Sequence, residues 1–373
     1  MRIRIFSVLC LLLMVPLSCR KEETATTKPA ATTAQAIGPP VAEISPTMPT
    51  DVGQAPPEFT PEQNLPWFDD FSWREFVALT WPARTSNAAP YTRGVPDRGK
   101  PYGDTSVPLV FSTWKSDYEL FLPMGAPPKP WNSFDTPTPC VGAASPQLVP
   151  YQKLLASFNK YHGFNQAGVG VDTGPLVSQN RRYVRYETSM NQLQYDFIVN
   201  PPSPYPGPLY LAKNLPGTGT NPNLTFPTGS IEIKAGWRIM DNVPGSERAR
   251  YYVTTAQLLN PVTGRCTATE VGLVALHIVN KTLRFPNWVW STFEQVDNVP
   301  ALAGETQGAT PPYGLNDPAK PQTINPANPL PPITKCNPPK ADPDQMQVVR
   351  VRSIHKSTQQ TNQQYRNLRG LKG

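Results

Sequence analysis

Gly229–Met240 (GSIEIKAGWRIM), Arg250–Leu259 (RYYVTTAQLL), Glu270–Val279 (EVGLVALHIV) and Trp288–Val296 (WVWSTFEQV) are rich in β-branched and aromatic residues and are bounded by Pro, Gly or Asn. Side chains of this kind fit a pleated, half-buried surface. Four such runs within about seventy residues predict an antiparallel sheet. Period-two alternation sorts the faces. Glu232 and Lys234 share one face, and Ile231, Ile233 and Ala235 take the other. His277 lies two residues from Ala275 and Val279, and Trp288, Trp290, Thr292 and Glu294 point the same way along the fourth run.

Moving outward, Asp69–Pro82 (DDFSWREFVALTWP) predicts a helix. Ser72 and Glu75 form an S-x-x-E capping box at its start, Phe71 and Phe76 the hydrophobic staple, and Pro82 its end. Trp73, Phe76, Val77 and Trp81 then share a core face. Arg181–Val199 has no Gly or Pro and spaces Tyr183, Tyr186, Met190, Leu193 and Phe197 by threes and fours, which predicts a second helix. Val107–Leu122 reads as a short strand and a helical turn, Met346–Ile354 as a strand, and the segment around Gln364, Tyr365 and Leu368 as a short helix. Residues 123–150 and 301–343 are Pro-rich loops holding Cys140 and Cys336.

The 373 residues are 39% apolar, enough for a sizeable core. Their 47 prolines oppose long helices, because an interior proline removes a donor and clashes with the preceding turn. The expected fold is mainly β, with antiparallel sheets packed as a sandwich or jelly roll, a few peripheral helices and long Pro-rich loops.

The N-terminus predicts export. Arg2 and Arg4 precede an apolar stretch, Ile5–Val15, too short for a comfortable membrane span. Leu17-Ser18-Cys19 resembles the end of the bacterial lipobox, with Pro16 where leucine is usual. The resemblance implies a signal peptide over residues 1–18, lipidation of Cys19 and, because Arg20 rather than aspartate follows, an outer-membrane destination. Residues 19–64, rich in Thr, Ala and Pro, read as a tether, and 65–373 as a single β-rich domain. No second apolar run of spanning length follows the N-terminus, so the expected membrane partner is reached through the lipid anchor alone.

Of the formal net charge of +7, six positive charges lie in Gln345–Gly373, which has no acidic residue. Tyr365 is the only aromatic residue there, too little for base stacking, and a nucleic-acid partner is not expected. Cys140, Cys266 and Cys336 remain beside Cys19 once the signal is removed, and export permits a disulfide between any two of them. The three histidines, His162, His277 and His355, form no cluster with metal-ligand spacing, and no metal or other cofactor is expected.

Ser230–Trp237, Val271–Thr282, Pro286–Pro300 and the opening Phe71–Pro82 together resemble an uncharacterised family of secreted bacterial proteins. Some members are labelled cytochrome-c-family proteins because longer chains carry C-x-x-C-H. This sequence has no C-x-x-C-H, so the resemblance implies a haem-free member or a missing C-terminal part, and no reaction.

Three functions follow as expectations. One is a non-catalytic envelope module that binds a glycan or an envelope protein, favoured by the tether and by the lack of a nucleophile elbow or phosphate loop. A second is a carbohydrate-active cleft, hydrolase or lyase, in which Glu232, His277 and Glu294 divide acid and base roles while Lys234, Trp288, Trp290 and Thr292 hold the sugar. It requires the three titratable groups to converge. The third is redox: noncovalent haem held by His277 with a methionine, or an accessory that docks to a c-type cytochrome partner.

Overall fold

The computed structural model describes residues 43–53, 60–142, 149–156, 176–215, 223–260, 263–305, 311–322 and 345–368. Cys19, Cys336, His162 and the whole signal segment lie outside them. In chain order the elements are α1 (Pro61–Leu79), β1 (Lys115–Ser116), α2 (Asp117–Leu120), β2 (Lys153–Leu155), β3 (Arg185–Met190), α3 (Gln192–Val199), β4 (Ile231–Ile239), α4 (Gly245–Arg248), β5 (Val253–Leu259), β6 (Cys266–Asn280), β7 (Val289–Glu294) and α5 (Lys356–Asn367). All described strands belong to one curled sheet of order β1-β3-β4-β6-β5-β2. The long strand β6 pairs β4 on one edge, while its other edge is shared by β5 at the start and β7 at the end.

Two expectations change here. The sheet is mixed, because β2 runs parallel to β5. The described strands also build one sheet, where a sandwich or jelly roll needs two packed face to face. With 21% helix and 21% strand, the fold is β-centred by position, since helices and loops pack around that sheet.

The four central runs become β4 to β7 with the expected faces. Ile231, Ile233, Ala235, Trp237 and Ile239 of β4 join Val271, Leu276 and Ile278 of β6 in the main core. A bulge in β6 opposite Gly236/Trp237 admits Val274 as an extra residue and turns its side chain to the opposite, outer face. There Val274 packs with Val184, Met240, Tyr251, Val299 and Leu315. Loop residues thus cover one end of the outer face and leave the other open.

α1 begins at Pro61, where a missing N–H costs nothing, and not at the capping box. Ser72 is mid-helix: its hydroxyl donates to Phe68 O at 2.7 Å and meets Ser291 Oγ at 2.7 Å. The predicted helix over 181–199 divides into β3 and α3. Asn191 makes the break, since its Oδ1 accepts from Gln194 N to cap α3 and from Ile231 N to tie the cap to β4. Met346–Ile354 runs as irregular chain rather than a strand.

Val52 is buried with Phe71 and Val289, and Asp51 and Gly53 accept hydrogen bonds from Arg284. Residues 43–53 are therefore docked on the domain. Cys140 and Cys266 form a disulfide, with Cα atoms 5.3 Å apart, that ties the loop after α2 to the start of β6.

Candidate functional site

The sequence-predicted residues occupy the open end of the outer face. Cross-strand register sets Thr188, Lys234, His277 and Thr292 in one row across β3, β4, β6 and β7. One row along, Glu232 lies opposite Val279 and Val279 opposite Trp290. On the other side Gly236 and Ala275 make a low floor that leads to Glu294.

Neighbours define each group. His277 Nδ1 is 2.9 Å from Thr292 Oγ1, a bond between directly opposed residues. The Lys234 ammonium sits 5.1 Å above the centre of the Tyr186 ring. Gln194 Nε2 donates to Glu232 Oε2 at 3.1 Å, and burial pushes the Glu232 carboxyl above the usual range. Glu294 is more exposed and accepts from Arg350 at 3.0 Å. Trp290 is 66% exposed, a large apolar surface to leave in water.

Trp288 differs from its expected place. It lies before β7 in a turn with φ +75°, where its ring meets Phe226 edge-on at 5.8 Å. Lys281 lies 5.9 Å from that ring. Alternation does not extend across this turn, so Trp288 does not continue the row of Trp290, Thr292 and Glu294.

The carboxylates do not converge. Glu232 and Glu294 are separated by two strand spacings and four residues, or about 16 Å at ~4.8 Å per strand and ~3.3 Å per residue. Paired glycosidase carboxyls stand roughly 5–9.5 Å apart. In the strand register His277 lies between the two. The arrangement is a shallow surface with an exposed indole, hydroxyls and a cation, suited to holding an extended partner by stacking and hydrogen bonds.

The sequence reading missed another set of polar groups, on the core side of the sheet. Lys153 Nζ donates to Glu187 Oε1 at 2.5 Å, and Trp237 Nε1 donates to Glu187 Oε2 at 3.1 Å. Arg93 Nη2 donates to Glu119 Oε1 at 2.7 Å. The signal for Glu187 was present, because period two places Arg185, Glu187 and Ser189 together, but the helical reading of 181–199 hid it.

No family model matches the sequence, and no curated protein or solved structure is similar to the chain. Among the described residues no helix is long and apolar enough to cross a membrane.

Proposed function

We propose that the chain is an outer-membrane lipoprotein, anchored through Cys19, that binds a glycan or an envelope protein without transforming it. The binding surface is the open outer face around Trp290, His277, Thr292 and Lys234. The observation that carries this reading is the exposed Trp290 ring beside an ordered polar row, with Glu232 and Glu294 held far apart. An indole in water offers a stacking face for a sugar or a side chain, and the Lys234 ammonium adds a preference for acidic partners. The spacing of the carboxylates disfavours the hydrolase or lyase alternative.

The test is calorimetric titration of the full chain, in detergent, with neutral and acidic glycans. Saturable heat that disappears in Trp290→Ala and weakens in Lys234→Ala, with no change in glycan chain length after incubation, is the expected result. Shortened products would revive the catalytic alternative. Binding unaffected by Trp290→Ala would remove this face from the reading.

A further inference from the structure

Beyond β7 the sheet stops, and the free edge of that strand is bare. One step past the Ile231–Asn280 pair, Lys281 N donates to Ser230 O, so the odd residues of β6 turn their backbone groups to β4. The even ones, Leu276, Ile278 and Asn280, then turn theirs to Phe293, Ser291 and Val289 of β7. Trp290, Thr292 and Glu294 therefore aim their N–H and C=O groups away from the sheet. Among the described residues no strand pairs that edge, and nothing bonds to those groups. All three residues are exposed.

A bare edge is a template for another strand, and proteins blunt such edges with proline, lysine, bulges or very short strands. β7 (VWSTFE) has none of these devices: it is six residues without Pro, Lys or Gly, in unbroken register with β6. Its side chains suit a copy of itself. When two β7 strands meet antiparallel about a two-fold axis at Thr292, that residue faces Thr292 of the second copy, and each Trp290 faces the other copy's Glu294. Residues opposed with their backbone groups turned inward exchange two hydrogen bonds per pair, so all three bare positions are satisfied. Thr–Thr is a favourable cross-strand pair. Arg350 donates to Glu294 at 3.0 Å, so each Trp290 ring comes beside a guanidinium as well as a carboxylate. Other registers are poorer. Centring on Glu294 sets two carboxylates opposite each other, and centring on Trp290 carries the pairing into the Trp288 turn at φ +75°.

We propose that the chain forms a two-fold dimer by pairing β7 with β7 of a second copy. The axis stands perpendicular to the sheet, so the outer faces of both copies lie on the same side. The row of Thr188, Lys234, His277 and Thr292 then runs on into its symmetry mate, across eight strands and about 34 Å at ~4.8 Å per strand. On the reading of this face as a glycan surface, the second copy completes the site for a long chain. The pairing itself does not depend on that reading.

The experiment uses the full chain in detergent with no glycan present, so its outcome is separate from that of the glycan titration. Sedimentation equilibrium gives the protein mass across a range of concentrations. The expected result is a dimer whose dissociation constant rises at least about tenfold in Thr292→Pro, which removes the two bonds at the axis. The Thr292 N–H makes no bond to β6, so the ladder survives and the far-ultraviolet circular dichroism should not change. Thr292→Lys sets two ammonium groups opposite each other at the axis and should weaken the dimer in the same way, whether or not the proline variant folds. Thr292→Cys should give a disulfide-linked dimer on mild oxidation, because opposed, bonded residues stand about 5.5 Å apart at Cα. Trp290→Cys, which meets Glu294 instead, should crosslink no more than wild type. A monomeric wild type would overturn the proposal, and so would a folded Thr292→Lys that dimerises as wild type does, or a Thr292→Cys chain that gains no crosslink.

Discussion

Asn280 Nδ2 donates to Glu75 Oε1 at 2.6 Å, joining the middle of α1 to the end of β6. Glu75 is fully buried, with Ser291 Oγ at 3.4 Å from its other oxygen and, among the described residues, no cation bonded to it. Burial raises its pKa from 4.5 to about 8, so at neutral pH it is mainly the neutral acid. That state orders the hydroxyls around it. Ser291 Oγ bridges Glu75 Oε2 and Ser72 Oγ, and Ser72 donates to Phe68 O, so the acid ends a run of hydroxyls that leads back into α1. A residue that reads in the sequence as half of a capping box is thus a buried clasp between helix and sheet.

A pH dependence follows, and its sign is fixed. The folded state holds the Glu75 proton more tightly than the unfolded chain does. The associated stability is therefore fully present below pH 4.5, declines as pH rises, and is lost above about pH 8. The slope is about 1.4 kcal/mol per pH unit, for a total on the order of 5 kcal/mol. Glu75→Gln keeps an acceptor for Asn280 and a donor for Ser291 without the titration. Denaturant unfolding of wild type and variant at pH 5 and pH 9 should show near-equal stability at pH 5 and a more stable variant at pH 9. Parallel curves across that range would show that Glu75 does not titrate there.

The Lys153–Glu187 pair predicts strong non-additivity. Lys153→Met leaves a buried carboxylate with Trp237 Nε1 as its remaining bonded donor, at a cost of about 3–5 kcal/mol. Adding Glu187→Gln removes that charge while the amide oxygen still accepts from Trp237. The double variant should recover at least half of the loss. Unfolding free energies of the two single variants and the double variant check this, and simple addition of the single effects would show the pair to be uncoupled.

What was legible in the sequence followed from short-range pattern. β4 to β7 declared themselves because Ile231, Ile233 and Ala235 alternate with Glu232 and Lys234, and because β-branched and aromatic residues recur between Pro, Gly and Asn boundaries. Arg181–Val199 misled because Tyr183, Tyr186 and Met190 sit at helical spacing by coincidence, while the deciding group, Asn191, acts through a bond to Ile231 forty residues away. β2 has only three residues, and its parallel pairing with β5 is set by tertiary packing. The outer-face residues were placed together by alternation alone. Strand order then kept Glu232 from Glu294, and no local pattern encodes strand order.

The Cys140–Cys266 disulfide spans 126 residues of sequence and encloses β2, β3, β4 and β5. Closing so long a loop removes about 4–5 kcal/mol of chain entropy from the unfolded state in the loop-entropy description, and measured values usually fall near 2–4. Cys140→Ser with Cys266→Ser should lower the unfolding free energy by about 2–4 kcal/mol and leave the far-ultraviolet circular dichroism unchanged. Reducing agent should then shift the wild type to the same midpoint and leave the double variant unmoved. A reductant-sensitive double variant would point to another disulfide.

The docking of α5 on α1 makes the last prediction. α5 is a strongly polar helix that buries Tyr365, whose ring stacks on Trp73 at 5.1 Å and whose hydroxyl donates to Asp70 Oδ1 at 2.6 Å. Trp73 Nε1 returns a bond to Asn362 Oδ1 at 2.8 Å. With so few apolar contacts, α5 should open on its own well before the sheet does. Tyr365→Phe keeps the stacking and deletes the bond to Asp70, costing about 1–2 kcal/mol because a buried acceptor loses its donor. Hydrogen exchange of α5 amides should accelerate about 5- to 30-fold in the variant, with exchange in β4 and β6 unchanged. Equal acceleration in the sheet would mean that α5 and the core unfold as one unit, and that the Tyr365–Asp70 bond supports the whole domain.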